Sequence, residues 1–94
     1  MDVRDVRRTL TGKLGAAEDR GGHHVFYYLQ YQGEEYMGSK LSHSWRGDLN
    51  DYQIDLIKKP LFLNTAEFQE LVACPLTKEA FFNLWSQRKG LTLS

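Results

Sequence analysis

Val3, Val6, Leu10 and Leu14 recur at spacings of three and four, which predicts a helix over about Asp2 to Leu14 with one apolar stripe. Asp2 and Asp5 suit its positive end, and Gly15 is its expected stop, because glycine takes the left-handed conformation that closes a helix. Arg4, Arg7, Arg8 and Thr11 fall on a second stripe and make a basic, solvated ridge. The period then changes. From His23 to Gln32 the chain carries Val25, Phe26, Tyr27, Tyr28 and Tyr31, residue types that fit a pleated surface, with apolar groups on both faces as in a central strand. Gln32-Gly33-Glu34 predicts a turn and Glu35 to Ser42 a partner strand. With Gly33 at the loop centre, Leu29 pairs with Met37, Val25 with Leu41 and His23 with His43. A slip of one residue would bring His43 opposite His24 instead.

Ser44 to Gly47 reads as a loop, after which Leu49, Tyr52, Leu56 and Ile57 give a helix face that must end or kink near Pro60. Lys58 and Lys59 suit its negative end. Asn64 with Glu67 three residues on is an N-cap pair, and Leu63 can staple onto Phe68 across it. A helix through about Ala73 follows. Beyond Pro75, Thr77 caps a last helix, with Leu76 and Phe81 in the same stapling positions and Gly90 as its stop. The layout is α+β: a helix, a short antiparallel sheet of two to three strands, then helices.

Length and composition narrow this further. A chain of 94 residues, 41% hydrophobic and 26% charged, can build one core, so 1–94 is read as a single domain with 61–94 as a helical C-terminal extension. No apolar leader or membrane-length run is visible, which gives a cytoplasmic expectation with no membrane partner. The single cysteine, Cys74, has no partner for an internal disulfide and reads as a small buried hydrophobe. Formal net charge is zero, so any RNA site must be a local patch.

Gly21-Gly22-His23-His24 delivers two histidines onto the first residues of an aromatic strand. Taken alone, the glycines make a turn and the histidines are either half-exposed strand residues or functional groups. A shared metal through His23, His24 and His43 is disfavoured, because neighbouring strand residues point to opposite faces.

A helix ending in Leu-Gly, a Gly-Gly-His entering a strand, a second strand ending in histidine, and then a helix resemble the HicA family of toxin ribonucleases over about Val3 to Phe68. The resemblance rests on Gly15, Gly21-Gly22-His23-His24, His43 and the Asn64-to-Phe68 segment. It implies a fold like a double-stranded-RNA-binding domain, helix-strand-strand-strand-helix, and endonucleolytic cleavage of RNA, mRNA in particular. It also implies no metal or other cofactor and a HicB-like antitoxin protein as partner. His23 matches the family's catalytic position, His24 is the fallback and His43 matches a second recurring histidine. The Gly21-Gly22 approach belongs to the same RNA-binding motif. Residues Ala16 to Arg20, where the family has its first strand, are short and carry no β-branched or aromatic side chain, so the sequence leaves open whether that strand forms. Pro60 falls where the family's second helix would continue, and Pro75 to Ser94 extends beyond its smallest members.

Cutting RNA through its 2′-hydroxyl needs a base, an acid and positive charge near the developing phosphorane. Histidine titrates near ~6.5 and can serve either proton-transfer role. Phe26 and Tyr28 share a strand face with Lys40, a pattern suited to stacked single-stranded bases and equally to packing a helix. Arg4, Arg7 and Arg8 could hold phosphates. Two other function classes stay open: a non-catalytic module of the same fold that binds RNA or protein, and a helical interaction protein docking through Phe81, Phe82, Leu84 and Trp85.

Overall fold

The computed structural model describes residues 1–73 and 75–91, in the order helix, three strands, three helices. Cys74, and with it the expectation that it is buried, lies outside the described residues. Helix α1 (Val3–Arg8) is capped by the Asp2 carboxylate, which accepts from the Arg4 amide, and it widens into a π-helical turn over Thr9–Lys13. The hydroxyls of Thr9 and Thr11 donate to the carbonyls of Asp5 and Arg7 at 2.8 and 2.9 Å, loosening the ladder where Gly12 adds least. The wider turn still delivers Val3, Val6, Leu10 and Leu14 to the core. Gly15, at φ +68°, ends it as expected.

The sheet has three strands, β1 (Ala17–Asp19), β2 (His24–Tyr31) and β3 (Glu34–Ser42), antiparallel in that order. The first strand, which the sequence left open, is therefore present, and the sheet has the larger of the two expected strand numbers. Its side chains are exposed and carry no β propensity of their own; pairing with β2 creates it, helped by the Tyr27 hydroxyl donating to Glu18 Oε2 at 2.7 Å.

The hairpin turn is also tighter than expected. Gln32 and Gly33, at φ 51° and 79°, form a two-residue type I′ turn whose twist matches the strands. Tyr28 consequently faces Met37 and Leu29 faces Tyr36, one residue away from the predicted register. Gly38 is the extra residue of a bulge, after which Val25 faces Leu41 as expected. A Cβ at Gly38 would lie 2.8 Å from the Tyr27 carbonyl oxygen and 2.9 Å from Leu29 Cγ, so the bulge requires glycine.

Val25, Tyr27, Leu29 and Leu41 are fully buried on the inner face of the sheet, in one cluster with the α1 stripe. Helix α2 (Asp51–Lys58) starts at an Asn50/Gln53 capping box and buries Ile54 and Ile57, and the Ser39 hydroxyl donates to the Ile57 carbonyl at 3.0 Å. Of the predicted face, Leu49 and Ile57 are buried, whereas Tyr52 is 70% and Leu56 41% exposed, and Ile54 completes the buried side. Pro60 sits in a 3₁₀ turn, Lys59–Leu61, that ends α2. Helices α3 (Thr65–Ala73) and α4 (Lys78–Lys89) follow their predicted caps. Leu63 and Phe68 are both buried, as the staple across Asn64 requires. Trp85 of α4 packs edge-on against Tyr31 and Tyr36, with ring centroids 5.4 and 5.2 Å apart. Phe81, Phe82 and Trp85 are buried, so that helix offers no aromatic docking face. The molecule measures 42 × 29 × 21 Å, with α4 at the hairpin-turn end of the sheet and the histidines at the other. Among the described residues no helix is long and apolar enough to cross a membrane.

Candidate nucleic-acid interface

The last pair of the β2–β3 ladder is His24 with Ser42, so His23 and His43 each stand one residue beyond it, in the turns that enter β2 and leave β3. Gly22, at φ +76°, makes the first turn, and the Asp19 carboxylate accepts from the Gly21 amide at 2.9 Å. Strand β2 begins at His24 and not at His23, which is exposed in the turn. The three histidines thus gather at one end of the sheet without converging. Among the described residues no group of three His, Cys, Asp or Glu side chains is placed to hold a metal.

His24, Phe26 and Tyr28 form a ladder on the outer face, with successive ring centroids 6.3 Å apart and the Phe26 and Tyr28 planes 25° from parallel. All three are half-buried, while the helices bury the opposite face. Lys40 stands directly across from Phe26. Neither Phe26 nor Tyr28 belongs to the buried core cluster or to the partly buried side chains packed against it.

Two clefts flank Trp45 in the loop after β3. One, of ≈ 470 Å³, is lined by His24, Lys40, Trp45, Tyr52, Leu56 and Lys59, so the exposed side of α2 extends the aromatic face with two cations. The other, of ≈ 490 Å³, is basic and includes Arg4, Arg7, Arg20, His43 and Arg46. His23, Gly21 and Gly22 line neither cleft. The predicted arginine ridge is divided: Arg4 and Arg7 face the basic cleft, whereas Arg8 pairs with Asp5 at 3.4 Å beside a separate hollow.

Two of the arginines in the basic cleft are already neutralised. Arg4 pairs with Asp2 at 3.3 Å and Arg20 with Glu18 at 2.7 Å. Hydrogen bonds from Arg4 hold the Asp2 carboxyl below its ordinary value; the Tyr27 hydroxyl, followed by Arg20, does the same for Glu18. Both acids are therefore ionised at neutral pH. Arg7 spends Nη2 on the Ser42 carbonyl at 3.2 Å, and Arg46 spends Nη1 on the His43 and Trp45 carbonyls at 2.6 and 3.2 Å. Neither has a carboxylate partner among the described residues. Buried polar atoms without a partner include Arg7 Nε and His43 Nε2.

Sequence reasoning placed Arg4, Arg7, His24, Lys40 and His43 here but missed Arg20, Trp45, Arg46, Tyr52 and Lys59. Arg20 and Arg46 sit in turns far apart in the chain, with no local pattern to mark them. Tyr52 did carry a signal, an aromatic group just outside the true apolar phase of α2. Comparison with protein-family models, with curated proteins and with solved structures gives no match.

Proposed function

We propose that the protein is a HicA-like endoribonuclease, acting on RNA such as mRNA in the cytoplasm by metal-independent histidine chemistry and held inactive by a HicB-like antitoxin. The supporting observation is the partly exposed His24–Phe26–Tyr28 ladder beside Lys40, which leads to the sheet end where His23 and His43 stand. Aromatic rings on an open sheet give unpaired bases a stacking platform, and a base so held brings its 2′-hydroxyl and phosphate toward the histidines. One histidine takes the 2′-hydroxyl proton and another protonates the leaving 5′-oxygen, with Lys40 offsetting charge near the phosphorane. His23 is the first candidate for the base, His43 for the acid, and His24 is the alternative to His23.

Expression without the antitoxin should arrest growth and degrade RNA, and purified protein should cut a single-stranded oligoribonucleotide in the presence of a chelator. His23→Ala should lower that rate by ~10² to 10⁴ and leave the fold intact, since His23 is exposed in a turn. His24→Ala and His43→Ala rank the other two. Equal rates for wild type and His23→Ala remove His23 from catalysis. A non-catalytic RNA-binding module is the second reading, favoured by the position of His23 outside both clefts. RNA bound but uncut by the folded wild type would establish it.

A further inference from the structure

The basic cleft differs from a solvated arginine ridge in three respects. It brings together side chains from separate segments: Arg7 from α1, Arg20 from the turn after β1, and His43 and Arg46 from the loop after β3. Its frame is pinned by main chain, with the Val3 amide donating to the Gly47 carbonyl at 2.9 Å, the Leu49 amide donating to the Met1 carbonyl at 2.8 Å, and a bridge between Asp2 and Asp48. Its unused donors are buried. Arg7 Nε and His43 Nε2 have no partner among the described residues, although burying an unsatisfied polar atom is costly, and more so near a full charge. Two residues carrying such atoms, Arg7 and His43, line one cleft in a chain of zero net charge, which marks a place shaped for a polar group that the described residues do not supply.

We infer that this cleft binds a phosphate group of a nucleotide, held by Arg7 and Arg46 with His43 as a further hydrogen-bond partner. With Arg4 paired to Asp2 and Arg20 to Glu18, Arg7 and Arg46 supply the charge that selects an anion. The planar guanidinium fork matches the oxygens of a phosphate, and two forks with no carboxylate partner can each meet it with parallel N–H bonds. At ≈ 490 Å³ the cleft exceeds what a bare phosphate fills, and the Trp45 side chain in its wall offers an apolar surface to an attached sugar or base. Trp45 also lines the aromatic cleft on its other side, so one strand can lay its phosphate among the arginines and the adjoining base against His24, Tyr52 and Lys40. This deepens the RNA reading by assigning its phosphate subsite, and it rests on that reading for the strand but not for cleavage.

The test is binding of fluorescent 2′-O-methyl oligouridylate with a 5′-hydroxyl end, which has internal phosphodiesters but no attacking 2′-hydroxyl. Uridine 5′-monophosphate serves as the phosphomonoester probe. Arg46→Gln should weaken oligomer binding about tenfold and lower the slope of log Kd against log salt by about 0.7. Arg7→Gln should do the same, and Arg7→Lys, which keeps the charge and loses the fork, should keep the slope but not the affinity. Lys78→Gln, removing an exposed cation on α4, should change neither. Arginine Nε–H resonances of Arg7 should shift on titration. Competition by uridine 5′-monophosphate that is lost in Arg46→Gln identifies a terminal phosphate as the ligand, and binding by the oligomer alone identifies an internal phosphodiester. Wild-type affinity in both Arg46→Gln and Arg7→Lys, or no binding of either probe by the folded wild type, overturns the inference. Unmodified oligouridylate cut at the wild-type rate by Arg46→Gln would sink the phosphate site and leave the ribonuclease. Arginine-dependent binding without cleavage would do the reverse.

Discussion

Two glycines show how far a single residue's identity can be read without its neighbours. Gly12 lies within a helical stretch and an added Cβ there would meet nothing within 4 Å, whereas one at Gly38 would press on the Tyr27 carbonyl at 2.8 Å. Gly12→Ala should therefore stabilise the fold by about 0.5 to 1 kcal/mol, mainly by restricting the unfolded chain. Gly38→Ala should cost about 1 to 3 kcal/mol, because backbone must shift to admit the methyl group. Urea midpoints check both, and a stable Gly38→Ala would mean that the bulge can slide. Gly12 was legible as a helix weakness. Gly38 was not, since its constraint comes from β2 across the ladder. The site residues divide in the same way. His24 and Lys40 announce themselves by strand position and His43 by standing at a strand end, whereas Arg20 and Arg46 acquire meaning only when two distant loops meet.

At the scale of elements, what could be read was what local chemistry sets. Asn64 Oδ1 accepts from the Glu67 amide at 2.8 Å and Glu67 Oε1 accepts from the Asn64 amide at 3.0 Å, the reciprocal cap that the Asn-x-x-Glu spacing predicts. Asn64→Ala should cost about 1 kcal/mol. The structure adds a second partner from α4. Arg88 grips Glu67 through two bonds of 2.7 and 2.8 Å and reaches the Phe62 carbonyl at 2.6 Å. Arg88, ahead of the Asn64 amide, pulls the Glu67 carboxyl down to about 2. A carboxyl lowered on folding contributes stability above its unfolded pKa, near ~4.3, and loses that contribution as pH falls through the folded value. The side chains are 20% and 38% exposed, so solvent screens the pair and Arg88→Ala should cost only about 1 kcal/mol at neutral pH. Denaturation of wild type and Arg88→Ala should differ by a constant amount above about pH 5 and converge between pH 4.5 and about 2. A difference that persists at pH 2 would assign the effect to packing and not to charge. Strand β1 and the phase of α2 were illegible for the opposite reason. Ala17–Asp19 is a strand only because β2 offers a free edge, and the Leu49–Ile57 pattern contained two apolar residues more than the core uses.

Across the whole molecule the two ends of the sheet differ in make-up. The turn end is occupied by an aromatic cluster in which Trp85 contacts Tyr31, Tyr36 and Phe82, and Lys89 lies over the Tyr36, Phe62 and Trp85 rings at 5.6 to 5.7 Å. The histidine end carries both Trp45 clefts and the orphaned donors. A neutral net charge therefore conceals a local basic cleft, which composition alone could not reveal. The separation can be tested at Trp85, which is fully buried yet leaves its indole N–H without a partner among the described residues. Trp85→Ala should cost about 3 to 5 kcal/mol by emptying the centre of the cluster, a large share of the 5 to 15 kcal/mol typical of such domains. Trp85→Phe keeps a ring against Tyr31 and Tyr36 and removes the unpaired donor, so the cost should fall to about 1 kcal/mol. Neither change touches the clefts. Under conditions where each variant is fully folded, the oligouridylate affinity proposed above should stay within twofold of wild type while denaturation midpoints fall in the order wild type, Trp85→Phe, Trp85→Ala. Loss of affinity in folded Trp85→Phe would show that the two ends are coupled, and that α4 contributes to the RNA-facing surface as well as to the core.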